Sequence, residues 1–101
     1  MDISIGIMAY NEERNIGNLL KVIMKQKTNL VNIKEIIVVS SGSKDNTNEI
    51  VKSFSKKNRK VKLNIQKKRE GKASAINEFL KTAKSDILVL ESADTIPKEN
   101  A

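Results

Sequence analysis

The sequence predicts an α/β fold of three layers, in which helices cover both faces of a mostly parallel sheet of four strands, in the order 3-2-1-4. Two observations lead to this prediction. Along the 101 residues, segments in which apolar side chains recur every two residues, as in strands, alternate with segments in which they recur about every 3.6 residues, as in helices. The connections between successive strands are also too short for anything except a wound parallel sheet.

The first half of the chain predicts a strand, a helix, a second strand and a second helix. Isoleucines occupy every second position from 3 to 7, and a helical stripe of apolar residues follows between positions 16 and 24. Asn11 is predicted to cap this first helix. The run 35–39 predicts the second strand, and Asp45 is placed to cap the helix that follows it.

The second half predicts a strand, a helix and a last strand. Apolar residues alternate with polar ones over residues 61–65, a helical stripe covers residues 76–83, and residues 87–90 form an unbroken apolar run. An alternating strand usually lies at an edge, whereas an unbroken apolar strand is covered on both faces. The third strand alternates and the second and fourth do not, which favours the order 3-2-1-4.

This order makes residues 87–90 the outermost strand on one side, although no Pro or Lys interrupts the run. The opposite edge carries Lys60 and Lys62, which are typical of strands that avoid pairing with other chains. We therefore expect either further strands or an edge-strand homodimer at residues 87–90.

The composition excludes several classes of site. The chain contains neither Cys nor His, which excludes disulfides, Cys/His zinc sites, thiol nucleophiles and His-dependent triads. Any metal must be held by oxygen atoms, which favours Mg or Mn. The longest apolar runs are far shorter than the roughly 20 residues of a membrane span, and no signal peptide is evident. We expect a cytoplasmic chain, with membrane association through downstream segments as the alternative.

The net charge is +7, from 19 basic and 12 acidic residues, and it raises the question of a nucleic-acid partner. Tyr10, Phe54 and Phe79 are the only aromatic residues in the sequence, whereas single-strand binders use several stacking rings in a basic groove. We therefore expect lysine-rich, solvated helix faces and no nucleic acid. Nucleic-acid binding is the alternative, and the distribution of charge is the test between the two.

Four polar segments follow the predicted strands, at residues 8–13, 40–45, 67–72 and 91–95. In a wound parallel sheet, ligands bind beyond the carboxyl ends of the strands, so these segments predict the site. Neither a G-x-G-x-x-G fingerprint nor a Walker A loop follows the first strand.

The residues of these segments resemble the successive motifs of family 2 glycosyltransferases. The segments concerned are Ile-Met-Ala-Tyr-Asn-Glu-Glu (7–13), Ile-Ile-Val-Val-Ser-Ser-Gly-Ser-Lys-Asp-Asn-Thr (36–47), Gly-Lys-Ala-Ser-Ala-Ile-Asn (71–77) and Leu-Glu-Ser-Ala-Asp-Thr (90–95). The resemblance covers nearly the whole chain. It implies a Rossmann-like half of a GT-A fold and the transfer of a sugar from a nucleotide diphosphate with inversion, usually with Mg or Mn.

The resemblance assigns roles to residues of the first two segments. Ala9 and Tyr10 match the part that receives the nucleotide base, where the ring can stack; the alternative is a Tyr that packs at a strand end. Glu12 matches an acidic position of the same loop, although a Glu there also complements the helix dipole. Asp45 matches the Asp of the Gly-Ser-x-Asp motif, with helix capping as its structural alternative. Ser41 stands where the family usually has an Asp that recognises the base, often uracil, so guanine or another base stays open.

The resemblance also places the diphosphate and the metal. Gly71 and Lys72 match the loop beside the diphosphate, where Lys neutralises phosphate charge, and a solvated basic turn at residues 67–72 is the alternative. The family's Asp-x-Asp motif binds the metal. Here Ser92 occupies its first position and Asp94 its second, so Asp94 is the predicted ligand of Mg or Mn. Glu91 is a candidate to replace the missing carboxylate, and altered specificity and lost catalysis both stay open.

In the family, the acceptor half and the catalytic base lie downstream of the Asp-x-Asp strand. We therefore expect residues 1–101 to be the nucleotide-sugar-binding half of a glycosyltransferase, truncated before the acceptor half and inactive alone. The first alternative is a non-catalytic module that binds a nucleotide or nucleotide sugar. The second is a basic nucleic-acid-binding domain.

Overall fold

The computed structural model describes residues 2–25, 32–68, 71–85 and 87–92. Its elements, in chain order, are β1 (Asp2–Ala9), α1 (Ile16–Lys25), β2 (Asn32–Ser41), α2 (Thr47–Lys57), β3 (Val61–Gln66), α3 (Lys72–Thr82) and β4 (Ile87–Ser92). The strands form one sheet in the order β3-β2-β1-β4, and every neighbouring pair is parallel. The predicted fold class and strand order are therefore confirmed.

One face of the sheet is covered by α1 and α2, and it carries the larger core. The side chains that α1 buries there are Ile16, Leu19, Leu20 and Ile23. They pack on the odd-numbered residues of β1 and on alternate residues of β2. Full burial of one such side chain stabilises the fold by about 1.5–3 kcal/mol, so this layer supplies most of the apolar stabilisation.

The other face is covered by α3, which completes the three layers. Phe79 of α3 is fully buried with Ala75 against Met8, Ile37 and Val39 of the sheet. Its ring lies directly over Gly6 of β1, where a Cβ atom would come within 2.6 Å of the ring. The glycine is therefore required for close packing of α3 on β1.

The start of α1 differs from the prediction. Asn11 was expected to cap it, but α1 begins at Ile16, whose backbone N–H donates to the Glu12 carbonyl over 2.8 Å. Asn11 has a positive φ of 50° and belongs to the loop after β1. The capping prediction for Asn11 is wrong because its side chain bonds a neighbouring loop instead.

The two edges of the described sheet differ as predicted. At β3 both Lys62 and Ile65 are exposed, whereas at β4 the exposed side chains of Ile87, Leu88 and Leu90 are all apolar. Val89 is partly buried and packs against the core beneath α1 and α2. No helix in the described ranges is long and apolar enough to span a membrane.

Candidate functional site

The carboxyl ends of the four strands lie along one rim of the sheet. Ala9 ends β1 beside Ser40, Ser41 ends β2 beside Gln66, and Ser92 ends β4 beside Met8. The loops after β1 and β2 and the start of α3 therefore meet at the same rim. The location of the donor site and the roles of its individual residues stay predictions.

The residues predicted to receive the base differ in how they are presented. Ala9 is 4% exposed and its side chain belongs to the core, so only its backbone can face a ligand. Ser41 is 6% exposed, whereas the Tyr10 side chain is 38% exposed at the rim. A ring that is partly open to solvent can stack on a base while its other parts contact the protein.

The loops after β1 and β2 are joined by hydrogen bonds. The Asn11 N–H donates to Ser43 Oγ over 3.1 Å, and the Lys44 N–H donates to Asn11 Oδ1 over 2.8 Å. The Glu12 N–H donates to Thr47 Oγ1 over 2.8 Å. The left-handed backbone of Asn11 turns both its amide and its side chain toward the second loop. These bonds fix the two loops that flank the predicted base site.

Asp45 is the centre of this junction. Its Oδ1 accepts the Thr47 N–H over 2.9 Å and also the Thr47 hydroxyl, while Oδ2 accepts the Glu13 N–H over 3.2 Å. Burial raises the pKa of the Asp45 carboxyl, but the hydrogen bonds from Thr47 and Glu13 outweigh it and hold the pKa below the ordinary 3.8. Asp45 lies one residue before the N-cap Asn46 and still satisfies an amide at the start of α2. The geometry supports the structural role of Asp45.

Glu12 is also engaged within its own loop. Its Oε2 accepts a hydrogen bond from Asn15 Nδ2 over 3.1 Å, and its carbonyl accepts the N–H groups of Asn15 and Ile16. Glu12 therefore organises the turn that leads into α1. A contact between its carboxylate and a donor ligand stays a prediction.

Gly71 directly precedes α3 and has a φ of 92°. Nothing lies within 4 Å of the position that a Cβ would occupy, so the backbone conformation requires the glycine and the available space does not. The Gly71 carbonyl accepts the Ala75 N–H over 3.2 Å, and the start of α3 has no side-chain cap. The amides of this first turn point toward the rim, where the helix dipole favours an anion.

The predicted metal ligand Asp94 lies outside the described residues, and so do the side chains of Glu91, Ser92 and Lys72. Within the described ranges, no three Asp, Glu, His or Cys residues come together in a group that could hold a metal ion. Because the sequence lacks Cys and His, its donors are oxygen atoms, which suit Mg²⁺ or Mn²⁺. The assignment of Asp94 stays a prediction.

A polar groove of about 560 Å³ opens between the end of β3 and α3. Its walls include Gln66, Lys67, Ser74 and Glu78, and Gln66 Nε2 donates to Ser74 Oγ over 3.1 Å. Neither Ala9, Tyr10 nor Ser41 lines it. Lys67 of the basic segment therefore lines the groove, whereas the residues predicted to receive the base do not.

Exposed basic side chains lie at both ends of the described sheet. At the amino edge they occupy helix ends and the turns and strand starts next to them: Lys25, Lys34, Lys56, Lys57, Arg59, Lys60, Lys62 and Lys84. Arg14, Lys44, Lys67 and Lys68 are exposed in the loops at the carboxyl rim. Those in the last turns of helices complement the negative ends of the helix dipoles. This accounts for part of the positive charge without a nucleic-acid partner.

Sequence reasoning missed Glu35. The pattern predicts an apolar strand over residues 35–39, yet the Glu35 carboxylate at its start is buried and hydrogen-bonded to three other residues. The signal in the sequence was a lone carboxylate at the start of a strand that is otherwise buried on both faces.

The family is decided by a comparison with known proteins. The family model described as glycosyl transferase family 2 matches residues 4–101. The chain belongs to glycosyltransferase family 2. The predicted resemblance is thereby confirmed over nearly the whole length of the sequence.

Relatives and solved structures of this family agree with the match. The poly-β-1,6-N-acetyl-D-glucosamine synthase of Staphylococcus aureus is 34% identical over 95 residues, which are 94% of this chain and 22% of that protein. The chain thus spans about a fifth of that relative's length.

Two solved structures of glycosyltransferases superpose on the chain. The mannosyltransferase PcManGT of Pyrobaculum calidifontis, in complex with GDP-Man and Mn²⁺, gives a TM-score of 0.79 at 28% identity, over 97% of this chain and 29% of that one. TarS of S. aureus in complex with UDP-GlcNAc gives a TM-score of 0.80 at 27% identity, over 93% of this chain and 27% of the TarS chain. Both are GT-A glycosyltransferases, which confirms the fold expected for this family 2 chain.

Proposed function

We propose that residues 1–101 are the nucleotide-sugar-binding half of an inverting, metal-assisted glycosyltransferase. The observation that carries the proposal is that the described parts of the family's four motif segments begin at the carboxyl rim of one parallel sheet. In the proposed reaction, a sugar passes from a nucleotide diphosphate to an acceptor hydroxyl. Inversion requires a carboxylate base on the acceptor side, which would lie downstream of this chain.

The base of the donor would lie against Ala9, Tyr10 and Ser41. The backbone of Ala9 and the partly open ring of Tyr10 supply hydrogen bonding and stacking, and the joined loops after β1 and β2 hold both in place. Stacking of a base on an aromatic ring contributes about 1–3 kcal/mol to binding. Glu12 lies in the same loop and would be part of the donor site.

The diphosphate would lie at the start of α3. The uncapped first turn that follows Gly71 presents backbone amides at the positive end of the helix dipole, and Lys72 adds a positive charge there. Asp94 would hold Mg²⁺ or Mn²⁺ together with oxygen atoms of the diphosphate, and Ser92 would belong to the same donor site. The metal would neutralise charge on the leaving nucleotide.

The identity of the base depends on Ser41. TarS was solved with UDP-GlcNAc and PcManGT with GDP-Man, so both uridine and guanosine donors occur among the similar structures. A buried Ser offers one hydrogen bond and no charge, which removes the acidic group that usually selects uracil in the family. We therefore propose a nucleoside diphosphate sugar as the donor class, with the base to be measured.

The test is a titration of the chain with UDP-GlcNAc, GDP-Man and ATP in the presence of Mn²⁺, followed by amide chemical shifts in NMR spectra. We expect one nucleotide sugar to bind and to shift amides at the ends of β1 and β2 and at the start of α3. Tyr10→Ala should lower its affinity about fivefold or more, because the stacking contribution is lost. Lys60→Ala, at the opposite rim, is the matched control and should leave the affinity unchanged. Shifts confined to the amino edge, near Lys34 or Lys60, would overturn the proposal.

The second candidate is a non-catalytic module that binds a nucleotide sugar, and the replacement of the first Asp of Asp-x-Asp by Ser92 favours it. Transfer of radiolabelled sugar by the longest available form of the protein separates the two candidates. Donor binding without transfer or hydrolysis supports the module. The cytoplasmic location, the acceptor and an edge-strand homodimer through β4 stay proposals.

A further inference from the structure

Glu35 is a buried carboxylate for which the proposed donor site has no use. It is 2% exposed and lies in β2 at the amino edge of the sheet, far from the carboxyl rim. A charged group is seldom buried unless the surrounding structure pairs it and satisfies its oxygen atoms. The partners of Glu35 therefore indicate what the buried charge accomplishes.

Those partners come from three directions. Glu35 Oε2 accepts hydrogen bonds from Ser4 Oγ of β1 over 2.6 Å and from the backbone N–H of Lys84 over 2.7 Å. Glu35 Oε1 accepts from Lys62 Nζ of β3 over 2.9 Å. Ser4 Oγ in turn accepts the N–H of Ser85 over 3.3 Å. Lys84 and Ser85 belong to the connection between α3 and β4, so Glu35 and Ser4 together hold the chain just before β4 begins.

These bonds matter because β4 has little else to hold it. Among the described strands it pairs only with β1, and Ile87, Leu88 and Leu90 are exposed. Each residue of a strand advances about 3.3 Å, and a slip of one residue turns every side chain to the opposite face. The position at which β4 begins therefore determines what its carboxyl end presents at the rim.

We propose that Glu35 is a positioning residue, which holds the α3–β4 connection to the sheet and thereby sets the register in which β4 brings Ser92 to the donor site. The effect of Glu35 on ligand binding rests on the proposed function. The effect of Glu35 on the position of β4 is independent of that function, so the two effects can be tested separately.

The ionisation state of Glu35 is consistent with this role. Burial raises the pKa of its carboxyl, but the hydrogen bonds from Ser4, from the Lys84 backbone and from Lys62, with the charge of Lys62, outweigh burial and hold the pKa below the ordinary 4.5. The carboxylate is therefore ionised at neutral pH and accepts from all three donors.

The variants Glu35→Leu, Glu35→Gln and Lys62→Met separate the anchor from the ion pair. Glu35→Leu removes every acceptor. In Glu35→Gln the carbonyl oxygen can lie where Oε2 lies and keep the bonds from Ser4 and Lys84. The amide nitrogen then faces Lys62, whose side chain is 46% exposed and can move into water. Lys62→Met removes only the charge partner and serves as the control for the ion pair.

The measurement is amide hydrogen exchange of the 101-residue chain, resolved by strand. In Glu35→Leu we expect the β4 amides to exchange at least about tenfold faster relative to those of β2 and β3, because a hydrogen bond to a charged group is lost. Glu35→Gln and Lys62→Met should leave this ratio within about threefold of the wild type. Should Glu35→Leu fail to fold, Ser4→Ala removes two of the bonds and should raise the same ratio by a smaller factor.

An equal acceleration in all strands, in Glu35→Leu or in Ser4→Ala, would overturn the proposal, since it would indicate a general loss of stability. Unchanged exchange in β4 would overturn it as well. A parallel titration with UDP-GlcNAc or GDP-Man and Mn²⁺ should show weaker binding in Glu35→Leu and near wild-type binding in Glu35→Gln. If the wild-type chain binds neither nucleotide sugar, the proposed function fails while the exchange ratio still decides the role of Glu35.

Discussion

Replacing Gly6 by alanine should destabilise this domain, although alanine is ordinarily the easier residue to order in a strand. An ideal Cβ at Gly6 would lie 2.6 Å from Cγ of the Phe79 ring and 2.7 Å from both δ carbons. Carbon atoms in contact are normally about 3.5–4.0 Å apart. Phe79 is fully buried between α3 and the sheet, so its ring cannot move away without displacing the helix.

The magnitude follows from two opposing terms. Overpacking of a core costs about 1–3 kcal/mol, and three overlaps of almost 1 Å place this substitution in the upper half of that range. The lower backbone entropy of alanine in the unfolded chain offsets about 0.5–1 kcal/mol. We expect a net loss of about 1–2.5 kcal/mol in the free energy of unfolding, or roughly 4–20 °C in Tm for a domain of this size.

Gly17→Ala is the matched control. Gly17 lies in α1, where a Cβ would be 3.6 Å from Ile50 and 3.9 Å from Phe54, both ordinary contacts. The same substitution should therefore stabilise the domain by about 0.5–1 kcal/mol, because glycine is unfavourable within a helix.

Urea unfolding followed by circular dichroism measures both variants and also Gly6→Ala in a Phe79→Ala background. Once the ring is absent, the cost of Gly6→Ala should largely vanish, which a double-mutant cycle quantifies. If Gly6→Ala and Gly17→Ala change stability in the same direction, or if the Gly6→Ala cost persists without the ring, the packing of Phe79 on Gly6 is refuted.

Three further predictions concern charge, metal and association. Acidification should lower stability below about pH 4.5, because Glu35 and Asp45 have folded-state pKa values below their ordinary 4.5 and 3.8, so the unfolded chain binds protons first; urea titrations across this range that show constant stability would contradict it. Calorimetry should show that Mn²⁺ binds weakly alone and more tightly with UDP or GDP, and that Asp94→Asn weakens the joint binding; tight binding without nucleotide, or no effect of the substitution, would exclude Asp94 as a ligand. Light scattering should show dimers or larger species of the 101-residue chain, and Leu90→Lys should convert them to monomers. Leu90 is chosen because its side chain is exposed, whereas the neighbouring Val89 packs against the core. A monomeric wild-type chain would contradict the expectation that the β4 edge pairs with another strand.

The strand order and the layers could be predicted from the sequence because they depend on local pattern. Side chains three or four apart share a helix face and side chains two apart share a strand face, so the burial of each element is visible in its own residues. The alternation at 61–65 identified one edge of the sheet, and the structure confirms it. The unbroken run at 87–90 is typical of a strand covered on both faces, yet Ile87, Leu88 and Leu90 of β4 are exposed among the described residues. The carboxyl rim followed from parallel topology, whereas the roles of its residues stay predictions.

At some positions the local signal was misleading or incomplete. Ser4 and Gly6 make β1 alternate like an edge strand, yet β1 lies in the interior of the sheet. Gly6 is small because Phe79 lies over it, and Ser4 is polar because it bonds Glu35. Asn11 has the composition of a helix cap but bonds the loop after β2.

The sequence by itself determined the fold class and the resemblance to the family, and it predicts the rim on which a ligand would lie. Only the tertiary structure decided that Asn11 and Asp45 join two loops and that Glu35 holds the connection before β4. The physical reason is the distance along the sequence over which each interaction acts. Periodicity and capping act between residues a few positions apart, whereas a buried carboxylate selects donors that come within about 3 Å only after distant segments have packed together.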